Sequence, residues 1–114
     1  MKLTILGKYG PYPAAGGACS GYLIEQGGNH VLIDCGSGVL SRLQQVCKIH
    51  DLSAIVLSHL HSDHMADMLV LRYALEIGKA RGILVWAPFP SICQKILLRY
   101  TNRLYHHLNS DLWY

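Results

Sequence analysis

The stretch that most constrains this chain is Ser58-His59-Leu60-His61-Ser62-Asp63-His64. Three imidazoles and a carboxylate fall within six residues at the spacing His-x-His-x-Asp-His. With 7 His and 5 Asp among 114 residues, such a pattern arises by chance on the order of once in a thousand chains. The apolar run Ala54-Ile55-Val56-Leu57 leads in, and a mostly apolar run from Met65 to Ala80 leads out. The cluster is therefore expected where a buried strand hands over to a helix. Neutral imidazole and carboxylate suit zinc and its first-row neighbours. Residues two apart in an extended segment point the same way, so His59 and His61 are expected to reach one ion. Asp63 and His64, where the chain turns into the helix, aim at a neighbouring position, which suggests two metal sites side by side. The competing reading is a polar loop with Asp63 as a helix N-cap and the histidines simply exposed.

The chain is long enough for one domain, or for a piece of one. Hydrophobic residues make up 51% and the mean hydropathy is +0.21. Small domains leave much of their surface wet, so a chain this apolar is expected to cover part of that surface with something else. A net charge of +3 permits an anionic substrate without requiring one. Cys19, Cys35, Cys47 and Cys93 form no C-x-x-C pair and no disulfide-dense scaffold. Reduced, mostly buried thiols in a cytoplasmic protein are the expectation. The opening Met1-Lys-Leu-Thr-Ile-Leu-Gly7 is too short an apolar stretch for a signal core or a membrane span.

Four strands are expected before the cluster. Leu3 to Leu6 stops at a glycine, and the loop from Gly7 to Gly17, rich in Gly and Pro, follows. Such a loop either lies close to a ligand or merely connects. Ser20 to Glu25 and His30 to Asp34 flank Gln26-Gly-Gly-Asn29, a hairpin signal. Asp34 ends an apolar strand, where an acid needs a partner. It either orients a metal-bound histidine or caps the next helix. Val39, Leu40, Leu43, Val46 and Cys47 recur at helical spacing and predict a surface helix with one face on a core. Ala54 to Leu57 is the fourth strand. Asp67, one turn after Asp63, is expected to face the site as support for the ligands, or else to serve as a first-turn acid of its own helix. Further on, Gly82 to Ala87 reads as a strand and Ser91 as the cap of a last helix. Lys95, Arg99 and Arg103 on that helix read as a solvated basic face, and His106 and His107, about 100° apart on a helix, as surface residues.

The order of strand, Gly/Pro loop, hairpin, Leu-Ile-Asp-Cys-Gly-Ser-Gly segment, helix, strand and His-x-His-x-Asp-His resembles the N-terminal half of the metallo-β-lactamase superfamily. The opening Leu-Gly…Pro-Tyr-Pro…Gly-Tyr-Leu-Ile is similar to its phosphodiesterase-like branch, which includes RNase Z and small bacterial metal-dependent hydrolases. The resemblance covers about residues 1–90, with 91–114 an unmatched helical tail of the same single domain. It implies an α/β fold, half of an αββα sandwich, with two zinc ions per intact site and manganese as an alternative metal. It makes His59 and His61 ligands of the first metal and Asp63 and His64 ligands of the second. It also gives Asp63 a catalytic part, handling protons near the attacking water. Family members are longer chains whose second half supplies further ligands: a histidine for the first metal, a bridging carboxylate, and a histidine for the second.

On that comparison this chain is expected to be truncated and impaired as a hydrolase of phosphodiester-type substrates, small-molecule or nucleotide, with RNA left open. It is also expected to self-associate through the uncovered sheet face and to have no membrane partner. The alternative is a non-catalytic remnant that binds metal or a partner. A third class, a di-iron redox relative in the same fold, tends to carry an acid where this chain has His61.

Overall fold

A computed structural model of the chain describes residues 1–80. The strand expected over Gly82 to Ala87, the helix after Ser91, its basic face, and His106 and His107 lie outside the described residues. Four strands form one sheet in the order β1 (Lys2–Gly7), β2 (Gly21–Gln26), β3 (Asn29–Ile33), β4 (Ala54–Val56). The first two pairings are antiparallel and β3 pairs with β4 in parallel. The hairpin between β2 and β3 turns through Gly27 (φ 57°) and Gly28 (φ 79°). Two successive positive φ angles match the right-handed twist of the flanking strands, and only residues such as glycine adopt them without cost.

The register sorts the side chains onto two faces. Thr4, Leu23, Leu32 and Ile55 stand in one row across the sheet, and the last three are buried. They pack with Leu6, Ala18, Cys35, Val39, Leu40, Leu43, Met65, Met68 and Leu71 into one core. Each fully buried Leu, Val or Met there contributes about 1.5–3 kcal/mol. The opposite face carries two other rows: Leu3, Ile24, Val31 and Ala54, then Ile5, Tyr22, Ile33 and Val56. All eight are apolar or aromatic, and none is fully buried. Leu3 is 58% exposed, Ile5 62% and Val56 44%.

The helices depart from their sequence pattern in two places. The helix α1 spans only Val39–Leu43, where the spacing predicted a longer one. After Leu43 the chain tightens, with Gln45 and Val46 amides donating three residues back to Arg42 and Leu43. Leu43 and Cys47 stay buried but Val46 turns outward, 48% exposed. The run from Met65 to Ala80 is broken into α2 (Ser62–Met65) and α3 (Met68–Ala80). The break falls at Ala66-Asp67, where the Asp67 amide leaves the helix pattern and donates to the carbonyl of Cys35 (3.0 Å). On α3, Met68 and Leu71 face the core, and Arg72 pairs with Glu76 at 2.8 Å on the wet side. Val70 and Tyr73 are also outward, so the exposed side of this mostly apolar helix carries large apolar groups as well.

Candidate metal centre

The site forms at the carboxyl ends of the parallel pair, where open α/β sheets place ligands. Ile33 of β3 lies opposite Val56 of β4, so the residues just beyond, Asp34 and the Ser58–His64 segment, meet. The Asp34 amide donates to the Val56 carbonyl at 2.8 Å. Asp34 itself has φ 58°, a left-handed conformation that Asp tolerates better than most side-chain-bearing residues. Its carboxylate is buried. It accepts from the Ser58 amide at 2.7 Å, from Ser58 Oγ at 2.8 Å, and from Nδ1 of His64 at 2.7 Å. Burial pushes the Asp34 carboxyl up, but the bonds from His64 and from Ser58, together with the His64 charge, outweigh it and hold the carboxyl below its ordinary value.

Of the two readings of Asp34, the structure gives the histidine-orienting one. The residue capping α1 is Gly38, with no side-chain bond. An ionised Asp34 can only accept, so Nδ1 of His64 carries a proton, and when the ring is neutral Nε2 keeps its lone pair. That nitrogen lies 3.4 Å from Oδ2 of Asp63. The ring of His64 packs on that of His59 with centroids 3.9 Å apart, and His59 meets His61 edge-on at 4.8 Å. Ser58 Oγ reaches Nδ1 of His59 at 3.1 Å. The three imidazoles form one group with Asp63 at its side. His59 and His61 are exposed, while Asp63 and His64 are half-buried.

Asp63 is not an N-cap. That position of α2 belongs to His61, and Asp63 sits inside the first turn. Its main chain is fixed from two sides: the Ser20 amide donates to its carbonyl at 3.1 Å, and Gly36 packs against the same carbonyl. Asp67 does neither thing expected of it. Its Oδ2 accepts from the Leu40 amide at 2.9 Å, satisfying an otherwise unpaired N–H in the first turn of α1. Ser58 is the site residue to which the sequence assigned no part; a serine after a strand carries no signal that it will bridge an acid and two histidines.

The chemistry of the donor set fits a zinc-like ion. Two donors on a tetrahedral ion, each at about 2.0–2.1 Å, stand about 3.4 Å apart, which is the separation of His64 Nε2 and Asp63 Oδ2. Two acceptors at that distance need a cation or a proton between them. Among the described residues, however, no three His, Cys, Asp or Glu side chains are arranged to hold a metal ion. The structure brings Asp63 and His64 to that spacing, with His59 and His61 beside them.

Comparison with known proteins agrees with this architecture. Residues 14–91 match the family model of the metallo-beta-lactamase superfamily. The probable metallo-hydrolase YhfI of Bacillus subtilis is 48% identical over 82 residues, 72% of this chain and 34% of that protein. A ribonuclease Z of Methanopyrus kandleri is 36% identical over 89 residues, 77% of this chain and 32% of that protein. The crystal structure of YhfI, a metallo-beta-lactamase fold protein, superposes with a TM-score of 0.69 at 45% identity, covering 70% of this chain and 32% of that one. Human tRNase Z, short form, shares the fold at a TM-score of 0.68 and 24% identity, over 92% of this chain and 41% of that one. The chain belongs to the metallo-beta-lactamase superfamily, a family of metal-dependent hydrolases. It spans about a quarter to a third of the length of the curated relatives it matches. No helix among the described residues is long and apolar enough to cross a membrane.

Proposed function

We propose that this chain carries part of the metal centre of a hydrolase acting on phosphodiester-type bonds, with His59 and His61 toward one zinc ion and Asp63 and His64 toward a second. The observation that carries this reading is the His64–Asp63 donor pair at ligand spacing, with Asp34 holding the other nitrogen of His64. Ions bound there, zinc or manganese, would supply Lewis acidity and a water acidified to a pKa of about 7. The chain's own residues do the rest. Asp34 orients His64, Ser58 ties that acid to His59, and Asp63 would take a proton from the attacking water. Relatives named ribonuclease Z support a phosphodiester substrate, RNA being one such.

Four donors shared between two ions leave each with two, against the three protein ligands a catalytic zinc usually keeps. The donors named here therefore need complementing, and this chain alone turns over weakly or not at all. The test is hydrolysis of bis-p-nitrophenyl phosphate by purified chain with added Zn²⁺ or Mn²⁺. Slow turnover abolished by a chelator and by Asp63→Asn is expected. Turnover equal to that of full-length YhfI would overturn the incomplete-site reading, and chelator-resistant turnover would overturn the metal-dependent one. Three buried, free thiols among the described residues, Cys19, Cys35 and Cys47, support a reducing, cytoplasmic compartment.

A second copy of the chain is the occupant we assign to the open sheet face. The eight residues of its two rows include no charge, so two identical faces meet without burying an unpaired ion. At strand and residue spacings of about 4.8 and 3.4 Å, the rows cover roughly 19 by 14 Å. A stable interface buries about 800 Å² on each partner, so this association is weak and concentration-dependent. On this face the chain also has a non-catalytic role open to it, as a binding partner.

A further inference from the structure

We propose that Gly10 is a positioning residue for the Asp63 carboxylate, so that the Gly7–Gly17 loop forms a wall of the metal centre. This rests on the metal-binding reading above and deepens it. The loop is fixed at both ends. Lys8 and Tyr9 amides both donate to the Ala18 carbonyl at 3.1 Å, and Arg42 holds the carbonyls of Leu6 (3.2 Å) and Gly16 (2.6 Å). Between these anchors, Gly10 is brought against the site. A Cβ built on it would lie 2.7 Å from Asp63 Oδ2, closer than real Cβ contacts come. That oxygen is the one facing His64 Nε2.

The reason for glycine here is room rather than backbone freedom, because Gly10 is not among the glycines with positive φ. What a methyl group would meet is also particular. At Gly7 and Gly36 it would strike main-chain atoms, and the fold would have to yield. At Gly10 it would strike the tip of one side chain, which can swing aside. Gly10→Ala therefore leaves the fold and displaces the donor. Without a Cβ, position 10 leaves Oδ2 the room to lie on the His64 side.

The test is a double-mutant cycle on the full chain, read by Zn²⁺ affinity in competition with a chromophoric chelator. Gly10→Ala is expected to weaken Zn²⁺ binding ~10-fold, in the range for residues that orient a ligand. In an Asp63→Ala background the same change should add less than ~2-fold, since the group it displaces is gone. Equal losses in both backgrounds, or no loss in either, would overturn the proposal. If Gly10→Ala lowers the melting temperature, the Asp63→Ala double variant should restore it; a melt that stays low would also overturn the proposal. A metal-free readout separates this inference from the metal-binding reading. The carboxyl ¹³C resonance of Asp63 should move in Gly10→Ala at fixed pH, and an unmoved resonance refutes the contact. A wild-type chain with no Zn²⁺ affinity but a shifted Asp63 resonance would sink the metal-binding reading and leave the positioning contact standing.

Discussion

Replacing Asp34 by Asn changes one oxygen to an amide nitrogen and tests the centre at its root. Asn also tolerates the left-handed conformation at φ 58°, so the backbone is not at issue. The carboxylate takes three hydrogen bonds of 2.7–2.8 Å. A bond to a charged acceptor is worth about 1.5–3 kcal/mol and a neutral one about 1. Asn keeps a neutral bond from the Ser58 amide and can donate to Ser58 Oγ, so the loss is mainly charge assistance. Ser58 is exposed and the His64 side chain is 22% exposed, so water recovers part of that loss. A destabilisation of about 2 kcal/mol follows, or about 10 °C in melting temperature for a domain of this size.

The larger effect falls on His64. The introduced amide donates where the carboxylate accepted, so the ring proton moves to Nε2, the nitrogen facing Asp63. Zn²⁺ affinity should fall by about 10–100-fold. Long-range ¹H–¹⁵N correlation reads the tautomer directly. Because the Asp34 carboxyl is held below its ordinary value in the folded chain, its stabilisation is fully present above about pH 4 and is lost as pH falls through the depressed pKa. The melting gap between wild type and Asp34→Asn should therefore close in acid. An unchanged tautomer together with a pH-independent gap would refute the argument.

Three further outcomes are expected. Burial, reinforced by the charges of Asp67 and Asp34, pushes the Cys35 thiol from 9.0 up to about 12. The folded chain keeps this proton where the unfolded chain loses it, so stability should fall from about pH 9 upward, by up to about 4 kcal/mol near pH 12. Cys35→Ala should flatten that slope in alkaline melts, and a wild-type melt that does not move would contradict it. Gly36→Ala drives a methyl group into the Asp63 carbonyl and the Cys19 side chain; circular dichroism should show an unfolded chain or a loss of more than about 3 kcal/mol. Ile5→Lys on the open sheet face should shift light scattering toward monomer, and a wild-type chain that is monodisperse and monomeric at all concentrations would dismiss the self-association.

Much of the framework was legible because its signals are local. Glycine pairs and short apolar runs mark β1 to β4 within a residue or two, and the His-x-His-x-Asp-His stretch is contiguous. Asp34 drew notice because an acid ending an apolar strand must find a partner, although the partner lies 30 residues away. What the pattern overstated were the helices. Apolar spacing cannot show that Gln45 and Val46 will tighten into a turn, or that the Asp67 amide will leave its helix for Cys35. Asp67 itself was misread because one-turn spacing from Asp63 says nothing about α1, whose first turn it satisfies. Gly10 and Gly36 were unreadable for a simpler reason. A glycine in a sequence does not say whether it is there for a bend or for a neighbour, and here the neighbour is Asp63 in both cases.

The shortest strand has the longest reach. β4 is three residues, and its ladder to β3 is what sets the acid of one loop opposite the histidines of another. Sliding that ladder by a single step would carry Ser58 some 3.3 Å along the sheet and turn Ile55 out of the interior. Interior packing and site alignment are thus locked to the same three rungs, and a sequence change that loosens Ile55 should be felt at His64 before it is felt in the melting curve.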